Sequence, residues 1–222
     1  MANPAGIPFQ RALFGAEPLS FDATFAGVRR IRLDASSWVD HAEGWVGGAD
    51  ALFEHIVASR PWKQRTRWMY DHDVLEPRLT APWVAGSGMA LEPPLVEELR
   101  VALSARYGVA FDSVGFNLYR DGRDSVAWHR DKIRKDIAEP VIALVSLGER
   151  RKLLLRPCGG GASRAFLLGR GDLLVTGGRT NHDWEHTVPK VAQAGPRLSL
   201  AFRHGLDLRA YSSAAPKAPD EG

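Results

Sequence analysis

The sequence predicts an α+β fold that is mainly β, an antiparallel sandwich or jelly roll with supporting N-terminal helices. Three observations lead there. Short β-rich runs separated by Gly-rich or charged turns fill the chain from Val114 onward, two stretches with helical periodicity precede them, and strands and helices nowhere alternate as a parallel sheet requires.

The first 33 residues mix Pro, Gly and short apolar pieces and end in VRRIRL (Val28–Leu33), which reads as a strand. Ala49–Ala58 carries Leu52, Phe53, Ile56 and Val57 at helical spacing, and Pro94–Tyr107 begins with Pro in its first turn and stops before Gly108. Both read as amphipathic helices that cover another layer. Between them Pro61–Gly88 is aromatic and basic, with Trp62, Trp68, Tyr70 and Trp83, and reads as an irregular lid or binding loop. The strands that follow are VGFNLYR, VIALVSLG, KLLLRPC, RAFLLG, DLLVTGG and PRLSLAFR.

A chain of 222 residues with 45% hydrophobic content can bury one sizeable core but not two. The expected organisation is a single domain over 1–208: an N-terminal extension and helix over 1–60, a lid over 61–91 and a jelly-roll core over 111–208. Residues 209–222 have the Ala/Ser/Pro/Lys composition of a flexible tail. No apolar run reaches bilayer length and the first residues lack the basic and apolar regions of a signal peptide. The expectation is therefore a soluble cytoplasmic monomer, nucleoid-associated if bacterial, with no membrane partner. Cys158 is the one cysteine, so no internal disulfide is expected, and it reads as a buried or half-buried thiol.

The formal charge is only +3, yet cations are dense in RPWKQRTR (Arg60–Arg67), YRDGR (Tyr119–Arg123) and HRDKIRKD (His129–Asp136). Local cation placement rather than net charge makes a phosphate-binding footprint.

In WHRD, His129 and Asp131 are two residues apart, so in an extended segment both project to one face. NHDWEHTVPK, some fifty residues on, offers His182 or His186 as a third ligand. Two imidazoles and one carboxylate on one face leave coordination positions open, the arrangement non-haem Fe(II) oxygenases use to take up a co-substrate and O2. The lack of clustered cysteines argues against structural zinc. In PRLSLAFR, Arg197, Ser199, Ala201 and Arg203 share one face and Leu198, Leu200 and Phe202 the other. Two arginines on the polar face of a core strand are costly without anions, and 2-oxoglutarate carries two carboxylates that a guanidinium fork can hold. In GFNLYR, Asn117 and Tyr119 likewise share a face as hydrogen-bond donors.

The order N-x-Y, H-x-D, H, R-x-S-x-x-x-R resembles the AlkB family of nucleic-acid dealkylating dioxygenases, closest to its human DNA-repair members. NLYRDGRDSVAWHRD, SLG, HTVPK, PRLSLAFR and, upstream, EPRLT (Glu76–Thr80) carry the resemblance, over roughly Pro77–His204. It implies a double-stranded β-helix whose 111–208 core is catalytic and whose 61–91 lid lies on the substrate side. It also implies an iron site of His129, Asp131 and His186 rather than His182. Arg197, with Tyr119 and Ser199, would hold the distal carboxylate of 2-oxoglutarate, and Arg203 and Asn117 would lie near the carboxylate beside the iron.

The implied reaction is oxidative demethylation of N-alkylated bases such as 1-methyladenine and 3-methylcytosine in DNA, using Fe(II), O2 and 2-oxoglutarate and releasing formaldehyde, succinate and CO2. An RNA- or tRNA-directed dioxygenase and a protein or small-molecule hydroxylase are the alternatives. Arg78, Trp83 and Ile133 are the expected substrate-side residues, with Trp83 and the His129 ring stacking on an extruded base and Trp68 or Tyr70 as other stacking candidates. Arg120, Arg123, Lys132, Arg134 and Lys135 are expected to meet phosphates. Ile133 departs from the resemblance, since DNA-repair members carry an acidic residue there; Asp136 or Glu139 would have to stand in for it.

Overall fold

The computed structural model describes residues 17–69 and 72–206, with side chains described for all of these except 67–69 and 72. In chain order the elements are β1 (Ser20–Phe21), β2 (Arg29–Arg32), β3 (Ser37–Ala42), β4 (Val46–Gly47), α1 (Ala49–Ser59), β5 (Thr66–Met69), β6 (His72–Leu75), β7 (Leu79–Val84), α2 (Pro94–Tyr107), β8 (Ser113–Tyr119), β9 (Val126–His129), β10 (Ile142–Gly148), β11 (Arg151–Pro157), β12 (Arg164–Leu168), β13 (Asp172–Gly178), α3 (Thr180–Asp183), β14 (Trp184–Val188) and β15 (Arg197–Arg203). Seven strands form one antiparallel sheet in the order β2-β3-β13-β10-β15-β8-β7, and four form a second in the order β12-β11-β14-β9.

The period-2 pleat sorts the large sheet's residues between two cores. From β15, Leu198, Leu200 and Phe202 join Val114, Phe116 and Leu118 of β8 and Ala143, Val145 and Leu147 of β10 in a cluster roofed by Leu52, Phe53 and Ile56 of α1 and Leu95, Leu99 and Leu103 of α2. The opposite face sends Tyr119, Ile142, Leu144, Leu174 and Ala201 against Leu153, Leu155, Phe166, Trp184 and Val188 of the small sheet. The result is a jelly roll with helices on one outer face. Arg197 and Ser199 are therefore interior residues of the roll, not half-exposed ones.

Both helices form where their periodicity predicts them. Pro94 opens α2, and Gly108 closes it in the left-handed region at φ 66, where a side chain would be strained. The reading of Pro61–Gly88 as irregular is corrected. The stretch contains the β5–β6 hairpin and β7, and Trp62 is 1% exposed in the core. Pro82 hid β7, but β7 is an edge strand, where a missing N–H can face outward. Strand β3 was also unforeseen, because Ser37, Val39, Asp40 and Ala42 are all buried and break simple alternation. Among the described residues no helix is long and apolar enough to cross a membrane. The expected tail over 209–222 and Tyr70 lie outside the described residues.

Candidate active site

One irregularity in the small sheet aims the first histidine. Strands β9 and β14 pair His129 with His186 and Val126 with Val188, so three steps along β9 match two along β14. This extra residue is a β-bulge. It lets Val126 and His129, an odd number of positions apart, both face the interior, while Trp128 lies under the Arg156 guanidinium at 3.9 Å. The His129 and His186 rings stand 4.2 Å apart, centroid to centroid.

Asp131 follows just past the end of β9, with Oδ2 3.9 Å from His186 Nε2. Its other oxygen, Oδ1, accepts a hydrogen bond from Arg203 Nε at 2.6 Å and forms an ion pair with Arg203 Nη2, also at 2.6 Å. His129 Nδ1 lies 2.9 Å from the Ala127 carbonyl oxygen. A carbonyl only accepts, so Nδ1 carries the proton and Nε2 keeps a free lone pair. His182 is used differently: its Nε2 donates to the Ile137 carbonyl at 3.0 Å. The structure thus brings His186, not His182, to His129 and Asp131.

Electrostatics keep both imidazoles neutral. Burial, then the neighbouring His129, pushes His186 down to about 3, and burial likewise lowers His129, with Arg78 and Arg203 adding positive charge nearby. Burial alone would raise Asp131, but Arg203 and the two histidines outweigh it and hold the carboxyl well below the usual range. Two neutral imidazoles and one ionised carboxylate are a donor set that suits ferrous iron. Among the described residues no group of three or more His, Cys, Asp or Glu side chains is arranged as a metal site, so the fit rests on the chemistry of the three donors.

The face opposite these donors belongs to β8 and β15, where Arg197 pairs in register with Tyr119 and Ser199 with Asn117. Arg197 is 1% exposed and lies 5.4 Å from the Tyr119 ring centroid. Its Nη2 donates to Ser146 Oγ at 2.7 Å and the Tyr119 side chain lies close enough to interact with the guanidinium, whereas among the described residues Nε and Nη1 have no partner in hydrogen-bonding geometry. Burial pushes this guanidinium below its ordinary value. Orphaned donors on a buried cation are costly, and a carboxylate is the group that would satisfy them. The residues present therefore fit a dicarboxylate whose far end reaches Arg197. Asn117 donates through Nδ2 to the Gly115 carbonyl at 3.2 Å. Gly115 itself matters by its size, since a Cβ there would meet Arg203 Nη1 at 2.7 Å.

The substrate-side expectations fare unevenly. Arg78 pairs with Glu76 at 3.3 Å and is close enough to lower both histidines. Ile133 is half-buried against the interior cluster and bridges to Leu206, an apolar wall. Trp83 is corrected: it lies on the helix side of β7, 7% exposed in the outer core, with Nε1 donating to the Met89 carbonyl at 2.8 Å. Period-2 alternation along β7 turns Thr80, opposite Asn117, to the site side and Trp83 away.

Asp136 is exposed and paired with Arg134 at 3.2 Å, and Glu139 is exposed as well. Arg120 and Arg123, expected to meet phosphates, pair with Asp124 and Asp121. Cys158 is exposed rather than buried. Trp68 lies in β5, outside the described side chains.

Sequence reasoning missed Ser146, Asn181 and Arg151. Arg151 is buried and donates to the carbonyls of Asp121, Asp124 and Pro189, tying the β8–β9 turn to the end of β14. Only the first of these had a signal in the sequence: Ser146 interrupts an otherwise apolar buried strand.

Residues 52–203 match the family model described as the 2OG-Fe(II) oxygenase superfamily. The chain is 34% identical over 197 residues, 80% of its length, to the alpha-ketoglutarate-dependent dioxygenase alkB homolog 3 of Bos taurus. It is 30% identical over 191 residues, 68% of its length, to the DNA oxidative demethylase ALKBH2 of Arabidopsis thaliana. The chain spans 66% of the length of the first relative and 60% of the second. Among solved structures, that of OsALKBH1 superposes with a TM-score of 0.57 at 13% identity, covering 79% of this chain and all of the other, a likeness of fold.

Proposed function

From the premise that the chain belongs to the 2OG-Fe(II) oxygenase superfamily and is an AlkB-like Fe(II)- and 2-oxoglutarate-dependent dioxygenase, we propose that it oxidatively demethylates N-alkylated bases in DNA. The bases in view are 1-methyladenine and 3-methylcytosine, with formaldehyde, succinate and CO2 as products. The observation that carries the reading is that the space between the two sheets is lined from one side by two neutral imidazoles and a carboxylate and from the other by a buried arginine with two nitrogens that lack a hydrogen-bond partner among the described residues. Relatives named as dioxygenase and DNA demethylase, aligned over 80% and 68% of this chain, support the nucleic-acid substrate.

In this reading His129, Asp131 and His186 would hold the iron, and Arg197, with Tyr119 and Ser199, would bind the far carboxylate of 2-oxoglutarate. When bound, the iron would activate O2, the oxidant, which takes two electrons from 2-oxoglutarate, giving succinate and CO2, and two from the N-methyl group, which leaves as formaldehyde. The protein contributes placement. Arg203 orients Asp131, and Ala127 fixes the His129 tautomer. Leu144, Ala201 and Ile142 line the roll behind the site with apolar surface and limit water.

A base within a duplex is beyond reach of an interior site, so the substrate would be single-stranded or flipped out. Arg78 and Ile133 would border it. Because Ile133 offers an apolar wall rather than a carboxylate, an RNA substrate is the second reading.

The test is a mass-spectrometric screen of iron-loaded protein against matched DNA and RNA oligonucleotides bearing single methylated bases. Loss of one methyl from DNA is the expected result, and loss from RNA alone would favour the second reading. Inertness on all of them, with 2-oxoglutarate still decarboxylated, would redirect the search to protein or small-molecule substrates.

A further inference from the structure

The iron-side carboxylate sits where the sheet has run out. His129 is the last residue of β9, so the main chain of Asp131 lies beyond the β9–β14 ladder and has no strand partner in it. A side chain takes the partner's place. The Asp131 N–H donates to Asn181 Oδ1 at 3.0 Å, and Asn181 Nδ2 donates to the Asp131 carbonyl at 3.1 Å, so one amide closes both ends of the peptide as a facing strand residue would.

That amide is itself well held. Asn181 belongs to α3, the short turn that runs directly into β14 and His186. Thr180 Oγ1, buried, donates to the Gly177 carbonyl at 2.7 Å and accepts from the Trp38 N–H at 3.2 Å, fixing the turn to the large sheet. Next to it, His182 Nε2 donates to the Ile137 carbonyl and Arg130 Nη1 to the His182 carbonyl, both at 3.0 Å. The turn therefore grips the segment around Asp131 at several points, and it stands five residues before His186.

We propose that Asn181 is a positioning residue for Asp131, setting the carboxylate's distance from His186 through the main chain rather than through the carboxylate itself. This rests on the reading of Asp131 as a metal ligand. Residues that orient ligands in this way typically cost metal affinity about 10–100-fold when removed.

Titration of the purified full chain with Co(II), followed by visible absorption well below the melting temperature, tests the inference. Asn181→Ala is expected to weaken Co(II) binding about tenfold or more. Asn181→Asp keeps the acceptor for the Asp131 N–H but replaces the donor with a charged oxygen that faces the Asp131 carbonyl; it is expected to weaken Co(II) binding as well, and it carries the test should the alanine variant fail to fold. Melting of the metal-free variants separates positioning from plain support: a lower melting temperature with unchanged Co(II) affinity in the folded protein would make Asn181 a structural cap and overturn the proposal. Asp131→Ala is the control. Loss of binding there with wild-type affinity in the Asn181 variants refutes only the positioning role, whereas wild-type binding in Asp131→Ala refutes the ligand reading beneath it.

Discussion

Arg203 directs two nitrogens, Nε and Nη2, at a single oxygen of Asp131, each at 2.6 Å, and so leaves the other oxygen turned toward His186 Nε2 at 3.9 Å. The guanidinium comes from the large sheet and the carboxylate from the end of a small-sheet strand, so the pair also ties the two layers together at the site.

Breaking that pair should cost both stability and metal binding. Arg203→Met leaves a buried carboxylate uncompensated, and urea unfolding is expected to show a loss of about 3–5 kcal/mol. Arg203→Lys keeps the charge but not the two-nitrogen contact, and should bind Co(II) about tenfold more weakly than wild type. Wild-type affinity in the lysine variant would mean that the second nitrogen does not matter.

Gly115→Ala should mimic a mild Arg203 defect. Its Cβ would come within 2.7 Å of Arg203 Nη1. The obstacle is the far end of a flexible side chain, so the fold should tolerate the change while the guanidinium shifts from Asp131. The expected result is a weaker metal titration with a melting temperature close to wild type; an unchanged titration would show that Arg203 has room to spare.

Arg197→Met separates anion binding from folding. It removes a buried guanidinium with two unsatisfied nitrogens, so the metal-free variant should melt at or above the wild-type temperature. With Mn(II) present, 2-oxoglutarate at a hundred times its Kd should stabilise wild type by about 2.7 kcal/mol and the variant scarcely at all. Full stabilisation of the variant by 2-oxoglutarate would contradict the carboxylate role of Arg197.

Much of this could be read from the residues. The alternation in PRLSLAFR correctly put Arg197, Ser199 and Arg203 on one face, because a strand buried on both sides still obeys the period-2 pleat. The same rule, applied to β7, would have turned Trp83 away from the site, but Pro82 disguised the strand. Asn181 and Arg151 were illegible for a different reason. Both act on main-chain groups brought near by the fold, at separations of 50 and 27–38 residues, and a main-chain partner leaves no residue type to recognise. The β9 bulge is equally silent, since it is a property of the pairing.

Stability of the metal-free protein should fall with acid in a defined window. Burial lowers His129, His186 and His204 from the ordinary value of 6.5, His186 to about 3. An imidazole depressed in the folded state binds its proton more readily when unfolded, so its stabilisation is present above pH 6.5 and is lost as pH falls from there toward the folded value. The urea midpoint should therefore drop between pH 7.5 and pH 5. His204 Nε2 accepts the Val141 N–H at 2.9 Å, so His204→Gln, which does not titrate, should make that drop shallower. An equal drop in the variant would exclude His204 as a contributor.

The most direct measurement concerns the proposed reaction itself. Single-stranded DNA carrying one 1-methyladenine is incubated with the Fe(II)-loaded chain and 2-oxoglutarate, and repaired base, formaldehyde and succinate are counted together. A dealkylase gives formaldehyde and unmodified adenine in equal amounts, dependent on 2-oxoglutarate and lost in Asp131→Ala. Succinate formed at the same rate with and without methylated DNA or RNA, and with every methyl group retained, would contradict it.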